Sequence, residues 1–114
     1  MTPTPILHVG LYTFKPTLST AEKVISTANI LLLKEKCLHA VTGKPYIVSI
    51  IAGSNLAPES PYGGGYTHAL VITFARREDW LYYKDKDPVH LEFIISNQDW
   101  EKGCLIDVGG DEEG

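Results

Sequence analysis

Two mostly apolar segments of the chain, residues 6–14 and 65–74, each contain one histidine, and in a β-strand their side chains would alternate between two faces. A period of two is typical of β-strands, because successive side chains point to opposite faces of a sheet. In each segment one histidine, His8 or His68, shares a face with large hydrophobic residues. A buried imidazole needs a hydrogen-bond partner. Each histidine is therefore either a satisfied core residue or a group placed for chemistry.

Two further strands follow from composition. Residues 46–52 are rich in β-branched side chains on both faces, which predicts a strand buried on two sides, and residues 103–108 form a last short strand. The glycine- and proline-rich segment 53–65 between the second and third strands predicts a loop. Its three glycines lead into a strand and not into a helix, so we do not assign it to phosphate binding.

Two helical regions complete the pattern. Ser19 and Glu22 have the spacing of a capping box, which predicts a helix from there to about His39. Its apolar residues recur at intervals near three and four, which predicts one stripe packed on a flat surface. These residues are Val24, Ile25, Ala28, Leu31, Leu32 and Leu38. A second helix, broken near Pro88, is predicted over residues 77–84 and 90–95.

The resulting order βαββαβ predicts an α+β fold of the ferredoxin-like type, with a four-stranded antiparallel sheet and both helices on one face. The other face of the sheet then has no cover. Because residues 46–52 and 65–74 are apolar on both faces, a single chain would expose a large hydrophobic surface. We therefore predict a homodimer that pairs the open sheet faces around a twofold axis.

The 114 residues suit one domain over residues 1–114, with an ordered core over about residues 5–108, a frayed N-terminus and a frayed acidic tail. The chain is 44% hydrophobic and 21% charged, as ordinary globular proteins are. A net charge of −4 without basic runs gives no reason to expect nucleic acid or membrane as a partner. The chain shows no secretory signal and no long apolar run, so we expect a cytoplasmic protein.

The cysteines and histidines do not predict a cofactor. Cys37 and Cys104 are two single cysteines without zinc-binding or redox spacing, and we expect reduced thiols. The histidines come from strands and a helix without the spacing of metal ligands. We therefore expect neither a metal nor an organic cofactor.

Four separated segments of the chain, in order, resemble the stress-responsive dimeric α/β-barrel family. They are residues 8–15 (HVGLYTFK), 52–59 (AGSNLAPE), 65–69 (GYTHA) and 87–93 (DPVHLEF). The resemblance extends over nearly the whole chain, and it implies the same fold and dimer as the pattern of apolar faces. Members of this family range from stress-associated proteins without assigned chemistry to plant polyketide cyclases, so the resemblance leaves the activity open.

In the cyclase branch, the resemblance implies a pocket between sheet and helices in which a histidine of a His-Pro-x-His motif acts as base. His90 matches that histidine, and Asp87 stands where the motif has its first histidine. A tyrosine just upstream polarises a carbonyl group in that branch. Either Tyr83 or Tyr82 matches it, because one extra residue separates the tyrosine from Pro88. Asp87 is a candidate to orient a neighbouring group.

The remaining candidate residues are aromatic side chains and the two strand histidines. Trp100 matches an aromatic residue that lines the cyclase pocket, and ordinary core packing is the alternative. A neutral imidazole can remove a proton from a carbon between two carbonyls, and a second donor can stabilise the enolate. His8, His68 and Tyr66 are candidates for that donor. The predicted substrate-binding residues are Tyr66, Tyr82, Phe93 and Trp100.

Three functions remain open at this point. The first is a cofactor-free cyclase, lyase or isomerase that acts on a small apolar, carbonyl-bearing molecule such as a polyketide, with His90, Tyr83, His68 and His8 as catalytic residues. The second is a non-catalytic stress or assembly protein in which the same residues pack the core. The third is a cofactor-independent monooxygenase, because a related monooxygenase branch shares the ferredoxin-like dimer.

Overall fold

Four antiparallel strands form one sheet in a computed structural model that describes residues 4–109. The order across the sheet is β2-β3-β1-β4, and the helices follow β1 and β3. The predicted ferredoxin-like fold is confirmed. The predicted frayed ends fall largely outside the described residues. The elements are β1 Ile6–Phe14, α1 Thr20–Lys36, β2 Ile47–Ser54, β3 His68–Phe74, α2 Arg77–Asp85, α3 Pro88–Ser96 and β4 Trp100–Gly109.

The first helix begins as its sequence predicts and ends earlier. The Ser19 hydroxyl accepts a hydrogen bond from the Glu22 amide at 3.1 Å, and the Glu22 carboxylate accepts one from the Ser19 amide at 2.9 Å. This reciprocal pair satisfies two amides that have no partner inside the helix. The helix ends at Lys36 and not at about His39, because Cys37 is extended and Leu38 forms a β-bridge with Pro45.

The predicted packing face of α1 is wrong. The buried stripe consists of Ser26, Ile30, Leu33 and Cys37. The residues predicted to pack on the sheet point away from it; Ile25, for example, is 60% exposed. The helix has apolar residues on two faces, and the sheet takes the face that includes the small side chains Ser26 and Cys37. Small side chains allow the helix to approach the sheet closely.

The second helical region is broken, as predicted. Asp87 is the N-cap of α3 and Pro88 occupies its first turn, where a missing amide costs nothing. Three strands differ from their predicted bounds. β2 is Ile47–Ser54 and not residues 46–52. β3 begins at His68 and not at Gly65, and β4 begins at Trp100, earlier than predicted, because β1 pairs with it as far as Phe14 through a bulge.

The two faces of the sheet differ in cover. The face toward the helices carries the buried core residues Tyr12, Leu70, Ile72 and Phe74. On the opposite face, strand register aligns one apolar row, Ile51, Val71, Val9 and Ile106. The two outer members, Ile51 and Ile106, are exposed, and Val71 and Val9 between them are partly buried. The prediction that β2 is buried on both sides is therefore wrong for a single chain. No helix within residues 4–109 is long and apolar enough to cross a membrane.

Gly103 allows β4 to pass close to the Trp100 ring. A β-carbon at this position would lie 2.9 Å from Trp100 Cε3 and 3.0 Å from the Leu11 backbone oxygen. We expect Gly103→Ala to lower the free energy of unfolding by about 1–3 kcal/mol, because the backbone oxygen cannot yield. Gly53→Ala is the control, since a β-carbon there meets no atom within 4 Å. Urea unfolding measures both, and equal stabilities would contradict the prediction.

Candidate active site

A cavity of about 360 Å³ lies between the sheet and the helices. Its volume is in the range of small-molecule sites, which are mostly apolar with a few convergent polar groups. The apolar lining comes from Ile30, Leu33, Leu70, Ile72, Phe93, Ile94, Trp100 and Leu105. The polar lining comes from His8, Tyr83, Lys84, His90, Asn97 and Asp107.

His90 lies in the first turn of α3 and reaches the cavity with a fixed ring orientation. Its Nδ1 is 2.6 Å from the Tyr83 backbone oxygen, and its ring stacks on the Tyr83 ring with centroids 3.7 Å apart. A carbonyl oxygen only accepts, so Nδ1 carries the proton and Nε2 is the basic nitrogen of the neutral imidazole. Nε2 forms no hydrogen bond within residues 4–109. The geometry thus presents an imidazole whose tautomer is set by the backbone.

Burial keeps the His90 imidazole neutral. Desolvation lowers the pKa of His90 below its usual value, and the nearby His8 acts in the same direction. The hydrogen bond to the Tyr83 carbonyl and the charge of Asp87 oppose this shift without cancelling it. A group that is uncharged near neutral pH can accept a proton during a reaction, which is the requirement for a general base.

His8 is the second imidazole of the cavity, and a carboxylate holds it. Its Nδ1 is 2.6 Å from Asp107 Oδ1, which also accepts a hydrogen bond from Trp80 Nε1 at 2.9 Å. Strand register explains the contact, because His8 lies opposite Asp107 in the β1–β4 pair. The sequence analysis missed Asp107. An acidic residue inside the apolar segment 104–108 was the available signal, but its use requires the pairing of the two strands.

Tyr83 connects the two histidines. Its ring contacts the His8 ring edge to face, with centroids 5.8 Å apart, while it stacks on His90. Burial raises the pKa of Tyr83, so the phenol keeps its proton. Its hydroxyl forms no hydrogen bond in the part of the chain that the structure describes. The Tyr83 hydroxyl can therefore donate a hydrogen bond to an oxygen atom in the cavity.

Trp100 and Phe93 line the apolar part of the cavity. Trp100 stacks almost parallel on Tyr12, with centroids 4.1 Å apart and an interplanar angle of 6°. Its Nε1 is buried and has no hydrogen-bond partner in residues 4–109. The stack gives the cavity a rigid aromatic wall at the end of β1 and the start of β4.

Three predicted site residues lie outside the cavity. His68 stacks on Tyr12 and contacts Thr67 Oγ1 at 2.8 Å. His68 and His8 share a face of the sheet, but strand register places His68 opposite Tyr12. Tyr12 is four residues from His8, which is about 13 Å along the strand. Tyr82 contacts Tyr46 edge to face at 5.5 Å, and Tyr66 lies below the Lys102 ammonium at 4.9 Å. Of the two candidate tyrosines, Tyr83 is therefore the one that lines the cavity.

Comparison with protein families places this geometry in a known group. A profile of the Stress Responsive A/B Barrel Domain matches residues 6–101. The chain belongs to this family. No curated protein matches the chain significantly. Within residues 4–109, no group of three His, Cys, Asp or Glu side chains could hold a metal ion.

Several solved structures share the fold of the chain. A hydroxynitrile lyase from Passiflora edulis has a TM-score of 0.79 at 23% identity, with 98% of each chain covered. An Arabidopsis thaliana protein has a TM-score of 0.75 at 23% identity, covering 96% of this chain and 98% of its own. A dimeric ferredoxin-like protein from Thermobifida fusca has a TM-score of 0.65 at 18% identity, with 94% and 92% covered. At these identities the likeness establishes the fold of this stress-responsive barrel domain, and its chemistry must be argued from its own residues.

The lowered pKa of His90 predicts how stability depends on pH. Between the folded and unfolded pKa values of His90, the unfolded chain binds more protons, so the free energy of unfolding rises with pH through this range. The contribution is fully present above about pH 6.5 and is lost as the pH falls. We expect His90→Gln to flatten this part of the profile. Urea unfolding at a series of pH values checks it, and an unchanged slope would exclude His90 as the cause.

Proposed function

We propose that the protein is a cofactor-independent enzyme that forms or breaks a carbon–carbon bond next to a carbonyl group in a small, largely apolar molecule. The observation that supports it is the convergence of two imidazoles, each with Nδ1 bonded inside the protein, on one mostly apolar cavity. Both imidazoles therefore present Nε2 as their reactive nitrogen. A cyclase, a lyase and an isomerase all use this proton-transfer step.

In the proposed reaction, His90 Nε2 takes a proton from a carbon beside a carbonyl or from a hydroxyl group on the substrate. In the first case the electron pair forms an enolate, whose carbon attacks a second carbonyl carbon of the substrate and turns its oxygen into an alkoxide. In the second case the electron pair of the oxygen forms a carbonyl group as the neighbouring carbon–carbon bond breaks, and the bonding pair leaves on the departing carbon. The Tyr83 hydroxyl donates a hydrogen bond to the oxygen that carries the charge. The His90 imidazolium then returns this proton to the alkoxide or carbanion of the product, and His8 Nε2, oriented by the Nδ1 bond to Asp107, is the second imidazole that can relay it.

The fold is compatible with this chemistry. A protein of the same fold is a hydroxynitrile lyase, so this fold can support lyase chemistry. The comparison uses only the shared fold of the two proteins. The apolar lining of Leu70, Phe93 and Leu105 suits a substrate whose carbonyl group faces the histidines and whose apolar part extends toward Trp100. A polyketide-like molecule has both parts.

The protein acts as a homodimer in this proposal, with a cytoplasmic location. The exposed apolar row of the sheet supports it, because soluble monomers seldom expose such a surface. The Thermobifida fusca protein of the same fold is described as dimeric. The two free cysteines, Cys37 and Cys104, agree with a reducing compartment.

The dimer can be tested with two isoleucines of equal exposure. Ile106 on the open sheet face is 59% exposed and Ile25 on the outer face of α1 is 60% exposed. We expect Ile106→Lys to weaken self-association at least about tenfold, because a buried unpaired ammonium is costly. Ile25→Lys should leave association unchanged. Sedimentation equilibrium measures both, and dissociation by Ile25→Lys alone would assign the interface to the helix.

The catalytic assignment can be tested with matched pairs of variants. We expect His90→Ala to reduce kcat/KM by about 10²–10⁴-fold, the contribution of a positioned general base. His68→Ala should retain activity, since His68 lies outside the cavity. Tyr83→Phe should be impaired, and Tyr82→Phe should not. The assay follows cyanide release from hydroxynitriles and cyclisation of poly-β-ketones without added cofactor.

A non-catalytic role has a specific observation in its favour, since each histidine already has one nitrogen bonded inside the protein. That role predicts that His8 and His90 variants lower the melting temperature and nothing else. Stable variants that lose a measured reaction would exclude it. Full activity of His90→Ala would instead contradict the assignment of His90 as the general base.

A further inference from the structure

We propose that Asp87 is a positioning residue for His90: bonded to Tyr46, it fixes the junction between α2 and α3 and holds the imidazole at the cavity with Nε2 free. The inference rests on the proposed function only for the role of His90 as base. Asp87 lines no part of the cavity and contacts no reacting atom, so its effect is exerted through His90.

Asp87 is a buried carboxylate in a position that needs a reason. Its side chain is 1% exposed, and it forms no salt bridge with a lysine or arginine within residues 4–109. Its two oxygens instead accept hydrogen bonds from the Tyr46 hydroxyl at 2.5 Å and from the Val89 amide at 2.9 Å. Removing a carboxylate from water is expensive unless donors replace the water. The structure supplies those donors from two different elements.

The same residue joins both helices. The Asp87 amide donates to the Tyr82 carbonyl at 2.8 Å at the end of α2, and its carbonyl accepts from the Leu91 amide at 3.0 Å in α3. The bond from His90 Nδ1 to the Tyr83 carbonyl crosses this junction. Tyr46 precedes β2, so its hydroxyl ties the junction to the sheet. The position of the imidazole therefore depends on a carboxylate three residues earlier.

The charge of Asp87 also acts on its surroundings. Burial raises the pKa of the Cys37 thiol to about 12 and that of the Tyr46 hydroxyl well above its usual value, and Asp87 adds to both shifts, so both groups remain protonated. Asp87 also opposes the lowering of the pKa of His90 by burial. The titratable groups that face His90 or its partner Tyr83 are His8 on β1, Cys37 after α1, Tyr83 and Lys84 on α2, Asp87 at the start of α3, and Asp107 on β4. The part of β3 that lines the cavity supplies only Leu70 and Ile72.

The experiment measures His90 directly by NMR titration of the full-length protein, so it needs no substrate. Asp87→Asn keeps an oxygen for the helix cap and removes the charge. We expect the pKa of His90 to fall, because the charge of Asp87 opposes the lowering of this pKa by burial. Asp85→Asn is the matched control, because it removes the same charge from an exposed site two residues away, where solvent screens the interaction, so the pKa of His90 should fall less. Equal pKa values in the two variants would overturn the proposal.

A second pair of variants tests the hydrogen bond and covers the case in which Asp87→Asn does not fold. Tyr46→Phe removes the donor to Asp87, and we expect the His90 Nδ1 proton to exchange with solvent at least about tenfold faster. Tyr82→Phe removes a neighbouring hydroxyl that does not bond to Asp87 and should leave this rate unchanged. Equal exchange rates in Tyr46→Phe and the wild type would overturn the proposal.

Activity separates this inference from the proposed function. If His90 is the base, the acid limb of kcat/KM moves to lower pH in Asp87→Asn together with the NMR titration. If the NMR results follow the prediction but no reaction depends on His90, the positioning role stands and the proposed function fails.

Discussion

The hydrogen bond between His90 Nδ1 and the Tyr83 carbonyl is the contact on which the rest of the site depends. It joins α2 to α3, holds one aromatic ring against the other, and decides which nitrogen of the imidazole is basic. The bond exists only because α3 starts where it does. Pro88 and the Asp87 cap place His90 in the first turn of the helix, within reach of the last carbonyls of α2. A break in a helix thus becomes a means of orienting a side chain.

Much of the fold follows from the sequence, because the relevant signals are local. The apolar segments 6–14 and 65–74 predict β1 and β3, the capping box at Ser19 predicts the start of α1, and Pro88 predicts the break between α2 and α3. The packing face of α1 could not be predicted in this way. Ile25 and Ile30 belong to two different stripes of α1, and most of the large apolar side chains lie on the exposed stripe, so the hydrophobic pattern alone selects the wrong face.

The sequence predicts those residues of the site that lie near one another along the chain. His90 and its tyrosine lie on consecutive helices, so a motif finds them, although only the geometry separates Tyr83 from Tyr82. Asp107 and His68 depend on strand register. His8 and His68 share a face, yet the antiparallel pairing places them about four residues apart, while it brings Asp107 opposite His8. Contacts between distant strands require the whole sheet to be known.

The uneven cover of the sheet links the site to assembly. The helices pack on one face of the sheet, and a cavity remains between the sheet and the helices. A small domain therefore has fewer core contacts at this place, where the site needs space. The other face carries Val9, Val71 and Ile106 without cover. Pairing of this face with a second copy would bury additional apolar surface. That burial would offset the apolar packing that is missing around the cavity. Because β1 carries His8 on one face and Val9 on the other, a stable pairing of the open faces would also hold rigid the strand that positions the His8–Asp107 pair.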